Sequence, residues 1–294
     1  MMENSLSKNT MKSDIDPLFE LLKPDRPTAI VDVGANPIDG DPPYKQLLQK
    51  RLCRVVGFEP QADALAKLTS RKSELETYLP YVVGNGDEAK LKICRARGMT
   101  SILNPDQHML SQFPNFSRWG KVVEETLVAT RRLDDIGEIE SLDFLKIDIQ
   151  GAELSVFQHG QSRLKEAVAI QTEVSFLPLY KDQPIFGEID LELRKQGFVP
   201  HAFAAIKKWM IGPLRNEKDP FAAFNQLLEA DVVYVRDFTR PDGMKTEQLK
   251  HLALIAHHCY GSFDLVMNCI QHLVGRKAIS PDARDSYLTI CRTK

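Results

Sequence analysis

Between residues 28 and 85, short apolar runs alternate with stretches of helical periodicity, and that alternation leaves few folds open. TAIVDVG (28–34), CRVVGFEP (53–60) and TYLPYVVGN (77–85) read as strands. Between them, PYKQLLQKRL (43–52) and QADALAKLTSRKSEL (61–75) carry apolar residues at helical spacing. Short Val- and Ile-rich strands joined through helices predict an α/β fold, a mostly parallel sheet covered on both faces.

Further strand candidates follow at LDFLKIDIQG (142–151), AVAIQTEVS (167–175), GFVPHAFAAIKKWM (197–210) and EADVVYVRD (229–237). AKLKICRA (89–96) and EETLVATRRLDDI (124–136) alternate like antiparallel strands, and NPDQHMLSQF (104–113) opens as a short helix. Helices fit 151–166 and 184–196. DIDPLFELL (14–22) has helical spacing with Asp14 or Asp16 as N-cap. From 245, TEQLKHLALIAHHCYG and SFDLVMNCIQHLVG predict two amphipathic helices ended by Gly261 and Gly275. The expected division is a disordered tail at 1–13, an α/β domain over 14–240 and a helical C-terminal extension over 241–294. The apolar faces of that extension pack back on the domain or form a homodimer contact.

A net charge of −2 argues against a broad nucleic-acid surface. Arg131-Arg132 and Lys207-Lys208 are isolated pairs and read as solvated faces. No apolar run approaches the roughly 20 residues of a membrane span, and the polar N-terminus lacks a signal-peptide core, so a cytoplasmic chain is expected. Five unclustered cysteines fit reduced thiols. His257, His258, Cys259, Cys269 and His272 lie close in sequence, but without a CxxC pair they read as helix packing and no metal site is expected.

The loop after the first strand, GANPIDGDPPY (34–44), decides the ligand class. In parallel sheets ligands sit beyond the carboxyl ends of the strands. Gly34 lets a ligand approach the backbone, and Glu59, ending the second strand, can accept both ribose hydroxyls. A dinucleotide fingerprint needs G-x-G-x-x-G, but Gly34-Ala35-Asn36-Pro37-Ile38-Asp39 has no second or third glycine in register. A pyrophosphate would also meet Asp32, Asp39 and Asp41, each like-charge contact near 4 Å costing about 4 kcal/mol at an effective dielectric of 20. S-adenosylmethionine (SAM) carries a sulfonium, an ammonium and no phosphate, and an acidic loop suits it. Asp32 as a loop-capping residue and Glu59 as a surface residue are the alternatives. An NAD-dependent oxidoreductase is disfavoured by the same two features.

In FLKIDIQGAELSVFQHG (144–160), Asp148 near the strand end would face the same cleft, and Gly151 permits the strand-to-helix turn. Glu153 falls in the first helical turn, where its charge also suits the positive end of the dipole.

VDVGAN (31–36), GFEP (57–60), RRLDDI (131–136), LKIDIQGAE (145–153) and TEVSFLPLYKDQPIFGEID (172–190), in that order, resemble the FkbM-type family of SAM-dependent O-methyltransferases. The resemblance covers roughly residues 28–237. It implies the class I SAM methyltransferase (Rossmann-like) fold, seven strands with one antiparallel, and places the methyltransferase domain within 14–240. It implies that Asp32, Gly34, Ala35 and Asn36 sit at the SAM methionine part, Glu59 with Pro60 at the ribose, and Asn85 with Asp87 near the adenine. Asp148 and Glu173 would face the transferred methyl. The implied acceptor is a hydroxyl of a sugar, glycolipid or natural product, a small molecule or glycan. The family often has Glu where this chain has Gln150, which keeps open a non-catalytic module binding SAM or a nucleotide sugar.

Methyl transfer is an in-line displacement. Asp148 and Glu173 are the candidate bases, with His201 third. A carboxylate gripping the sulfonium would stabilise the ground state more than the transition state, so the catalytic carboxylate is expected to hold the acceptor hydroxyl. Phe176, Tyr180, Trp119 and Trp209 fit either an acceptor pocket or ordinary packing.

Overall fold

The computed structural model describes residues 16–36, 40–219 and 221–292. The expected tail at 1–13, the alternative N-cap Asp14, and loop residues Pro37, Ile38 and Asp39 lie outside them.

Ten strands are described: β1 (Thr28–Val33), β2 (Cys53–Phe58), β3 (Glu76–Leu79), β4 (Val82–Val83), β5 (Glu88–Cys94), β6 (Val122–Arg131), β7 (Phe144–Ile147), β8 (Ala169–Ser175), β9 (Phe198–Trp209) and β10 (Gln226–Arg236). Seven form one sheet in the order β3-β2-β1-β7-β8-β10-β9. β10 runs antiparallel to both its neighbours, while the pairings from β3 across to β8 are parallel. This is the class I SAM methyltransferase sheet, with its one reversed strand. The run 77–85 divides: Pro80 cannot donate to a ladder, and β4 beyond it joins β6 and β5 in a separate three-stranded sheet.

The α-helices preceding β10 are α1 (Pro17–Leu22), before β1, and α2 (Lys45–Gln49), α3 (Ala62–Arg71), α4 (Gln107–Leu110), α5 (Phe116–Trp119), α6 (Glu153–His159), α7 (Gln161–Leu164) and α8 (Phe186–Lys195), between strands. Asp16 caps α1, its Oδ1 accepting from the Leu18 and Phe19 amides. The stretch 151–166 is two short helices, because the chain bends at Gly160.

After β10 come three helices rather than two: α9 (Thr246–Tyr260), α10 (Phe263–Gly275) and α11 (Ala283–Arg292). α9 stops at Gly261, as expected, but α10 runs through Gly275 and is capped by Arg276. Residues 249–258 of α9 are all buried. One core joins Leu252, Ile255, Val266 and Ile270 of these helices to Ile30, Val55, Phe144 and Val233 of the sheet and to Leu18 of α1. The opposite sheet face packs Val31, Leu145, Ile170 and Val232 against Val156, Phe157, Ile189 and Leu193. His257 bonds Tyr287 at 2.9 Å, and His258 lies 3.4 Å from Asp16, so both imidazoles serve the packing of the C-terminal helices.

The centre of the sheet is closed by two hydrogen bonds at its carboxyl edge. The Asp148 amide donates to Val33, and the Gly34 amide to Phe58, both at 3.0 Å. Gly34 has φ +77°, and a Cβ there would sit 2.0 Å from the Asp148 carbonyl oxygen. Its conformation therefore accommodates the neighbouring strand end, and Gly34 also lines the cavity beyond it. Gly34→Ala should cost at least about 2 kcal/mol, since both the backbone region and the clash oppose a side chain. Chemical denaturation compared with the parent chain measures this; an unchanged midpoint would contradict the stitching role.

Candidate active site

Side chains at the carboxyl ends of β1, β7, β8 and β9 and at the amino end of the reversed β10 converge because their registers align. Lys146 pairs with Asp32 across β1–β7 and with Gln171 across β7–β8; Glu173 pairs with Asp231, and Glu229 with Lys207. Together these residues line a cavity of about 820 Å³, with Gly34, Ala35, Asn36, Glu59, Pro60 and Asp148 on the same wall. Seven of the sequence-predicted site residues besides Asp148 are thus brought together: Asp32, Gly34, Ala35, Asn36, Glu59, Pro60 and Glu173.

Asn85 and Asp87 are not among the lining residues. Asn85 Nδ2 donates to Asp87 at 2.6 Å in an exposed turn, braced by Arg132, which donates to the Asn85 carbonyl at 2.7 Å. His201 is also outside the lining. Its Nε2 lies 2.7 Å from the Ser262 hydroxyl, tying β9 to the C-terminal helices, and burial lowers its pKa. Phe176 packs against Phe186 at 5.7 Å, and Tyr180 is buried behind the cavity wall.

Asp32 is buried, and its Oδ2 accepts from the Tyr44 hydroxyl at 2.6 Å. Lys146 Nζ lies 3.4 Å from Oδ1 and donates to the Gly34 carbonyl at 3.1 Å. Oδ1 itself has no hydrogen-bond partner among the described residues. Burial raises the Asp32 pKa against the pull of Lys146. A buried carboxylate oxygen lacking a donor fits a ligand that brings an ammonium. Glu59 is buried too; its Oε1 accepts from the Gln61 amide at 2.8 Å, and desolvation raises its pKa.

Gln150 is the hub that sequence reasoning missed. It adopts φ 58° and is followed by Gly151 at φ 103°, so the chain turns in two left-handed steps straight after β7. That turn brings its Nε2 within 2.8 Å of both Asp148 Oδ1 and Glu173 Oε2. Ser101 donates to the Gln150 carbonyl at 2.8 Å and holds the turn. A glutamate here would set a third carboxyl between the other two; the amide supplies a donor to each.

Lys207 donates to Glu173 Oε1 at 3.0 Å and lies 3.9 Å from Glu229. Its sequence appearance as part of a solvated pair is therefore corrected. Alternation along β9 turns Lys207 and Trp209 toward the cavity wall, while Lys208 is exposed. Despite Lys207, burial, then repulsion from Asp148 and Glu229, hold the Glu173 pKa well above the usual carboxylate range. Of the loop aspartates, Asp41 forms an exposed 2.6 Å ion pair with Lys45. Among the described residues the cleft's acidity comes chiefly from strand ends.

Glu153 is buried beneath the turn, Oε1 accepting from the Ile149 amide at 2.8 Å and the Gly151 amide at 3.3 Å. Burial lifts its pKa from 4.5 to about 7.

Residues 32–200 match the family model described as Methyltransferase FkbM domain. The 2-O-methyltransferase NoeI of Sinorhizobium fredii (strain NBRC 101917 / NGR234) is 30% identical over 185 residues, 58% of this chain and 72% of that protein. Among solved structures, magnesium protoporphyrin IX methyltransferase (ChlM) from Synechocystis PCC 6803 with bound SAM aligns at TM-score 0.37 and 10% identity, covering 76% of this chain and 77% of that one. Methyltransferase FkbM from Methylobacillus flagellatus KT aligns at TM-score 0.36 and 13% identity, covering 71% and 43% respectively.

The raised Glu153 pKa has a stability consequence. Below pH 4.5 the carboxyl is protonated in both the folded and unfolded chain, and above about 7 it is ionised in both. Between them the folded state keeps a proton that the unfolded chain has released, so this group lowers stability as pH rises. Glu153→Gln keeps an acceptor for both amides and should remove up to about 3 kcal/mol of that decline. Urea midpoints of parent and variant from pH 4.5 to 7.5 test it; parallel curves would contradict the buried-carboxyl account.

Proposed function

The chain belongs to the FkbM family of SAM-dependent methyltransferases, and from that premise we propose that it methylates a hydroxyl oxygen on a sugar, glycolipid or natural-product acceptor, with Asp148 as general base. The observation that carries the reading is the Asp148 carboxylate itself. Oδ1 is fixed by Gln150, and Oδ2 takes no hydrogen bond from a described residue on a side chain that lines the cavity. The name of the relative NoeI, a 2-O-methyltransferase, supports oxygen as the target.

In this reading Asp32, whose Oδ1 faces Lys146 at 3.4 Å but takes no hydrogen bond from a described residue, would hold the ammonium of SAM, and Glu59 the ribose hydroxyls. When bound, SAM supplies an electrophilic methyl and leaves as a neutral thioether. Asp148 accepts the hydroxyl proton while the oxygen gains the methyl. Glu173, whose environment favours the protonated acid, is less available to accept a proton. It contributes instead by holding Gln150 from the far side, with Lys207 gripping its second oxygen. Alignment of acceptor and methyl in a walled cavity supplies most of the rate, as oriented neighbouring groups are worth roughly 7–11 kcal/mol.

Asp148→Asn removes the proton acceptor but preserves shape. It should lower kcat by about 10²–10⁴-fold while SAM affinity changes little. Turnover of a labelled methyl donor and calorimetric SAM binding, measured on the same samples, separate the two effects. A variant that loses SAM affinity yet turns over normally would contradict the assignment.

A further inference from the structure

Beyond the carboxyl cluster the cavity wall becomes aromatic. Phe116 and Trp119 of α5, Trp209 at the end of β9 and Phe221 in the connection to β10 all line it. Trp119 and Trp209 are the chain's two tryptophans, ninety residues apart. They meet edge to face, with ring centroids 5.9 Å apart. Phe221 stacks on Trp119 at 6.0 Å and stands edge-on to Trp209 at 5.9 Å.

Core packing accounts for only part of this cluster. Phe116 is 6% exposed and anchors it, packing edge-on against Trp209 at 4.9 Å. Phe221 is 64% exposed, and both indoles are half-buried. Rings held in contact on a cavity wall while remaining accessible mark a place where a flat apolar surface can settle. Beside them stand Lys207, two residues before Trp209 on β9, and Glu229, its cross-strand partner. The lobe therefore pairs aromatic faces with charged hydrogen-bonding groups.

We propose that this aromatic lobe is the acceptor subsite and that it takes a pyranose ring. A pyranose presents polarised C–H bonds on its faces, which suit the negative face of an indole, and hydroxyls around its rim, which suit an ammonium and a carboxylate. An alkyl chain would offer no hydrogen bond to Lys207 or Glu229, which already face each other, and a phenol would offer few. The proposal rests on the hydroxyl-methylation reading above and narrows its acceptor to a sugar.

The two tryptophans make the lobe its own reporter. The full chain loaded with S-adenosylhomocysteine is titrated with a panel of methyl pyranosides, and with cyclohexane-1,2-diol, catechol and a short alkanol as hydroxyl-bearing controls. Tryptophan emission is the readout. At least one pyranoside should change the emission saturably, and the controls should not at equal concentration. Trp209→Leu should weaken the response to that sugar about fivefold to tenfold, the loss expected for one or two ring contacts. Trp209→Phe, which keeps an aromatic face, should lose less. Circular dichroism melting and calorimetric SAM binding establish that each variant is folded. No response to any pyranoside, a response equalled by the controls, or equal affinity in folded Trp209→Leu would overturn the subsite. Methyl transfer from labelled SAM is followed on the same panel. A sugar that binds the lobe but is never methylated counts against hydroxyl methylation and leaves the subsite standing. A methylated phenol or alkanol without any pyranoside response does the reverse.

Discussion

Crowding of carboxyl groups at one edge of the sheet is the constraint on which the site depends. Asp32, Asp148, Glu173, Glu229 and Asp231 line a single cavity because parallel strand ends and the reversed β10 deliver them there in register. Ionised carboxylates in a low-dielectric wall repel one another and lose hydration, so such a cluster persists only with cations, donors or protons among its members. The fold supplies two cations and a donor: Lys146 beside Asp32, Lys207 on Glu173 and the Gln150 amide between Asp148 and Glu173. The raised pKa values of Asp32, Glu59 and Glu173 record what remains uncompensated. A positively charged, phosphate-free nucleoside is the guest that such a wall favours.

The strands and most helices were legible because burial imposes a period on sequence. Runs such as AIVDV and RVVGF have no polar face, so a doubly covered parallel sheet was the economical reading. The site was legible where a residue's place along its strand fixed its place in space: Asp32, Glu59, Asp148 and Glu173 all end strands of one parallel sheet. Residues whose roles depend on a neighbouring strand were not. Lys146 sits in an apolar run, and only the β1–β7 register sets it beside Asp32. Lys207 looked like half of a surface pair until β10 placed Glu229 opposite. The one available signal was alternation, which separates Lys207 from Lys208. Gln150 could be noted as a departure from the family, but its double bridge arises from a left-handed turn that the sequence marks only through Gly151. Gly34 was recognised for its approach to a ligand; the close Asp148 carbonyl beside it shows only in the structure.

The C-terminal helices bear on the site from behind. α9 packs against the face of the sheet opposite α6 and α8, and its Tyr260 donates to Gln171 on the cavity wall at 2.9 Å. His201, considered as a base, joins this same supporting layer through Ser262. Chemistry and scaffold thus separate: the cavity carboxylates lie at one edge of the sheet, while His201 and His257 bond Ser262 and Tyr287 of the C-terminal part.

The central claim is that strand-end negative charge selects the cofactor. Calorimetric titration of the chain and of Asp32→Asn with SAM, each repeated with NAD as competitor, tests it most directly. The account predicts stoichiometric SAM binding that NAD does not displace, and an affinity at least about tenfold lower in the variant, as expected when a close charge pair is lost. Undiminished SAM affinity in folded Asp32→Asn, or displacement of SAM by NAD, would contradict it.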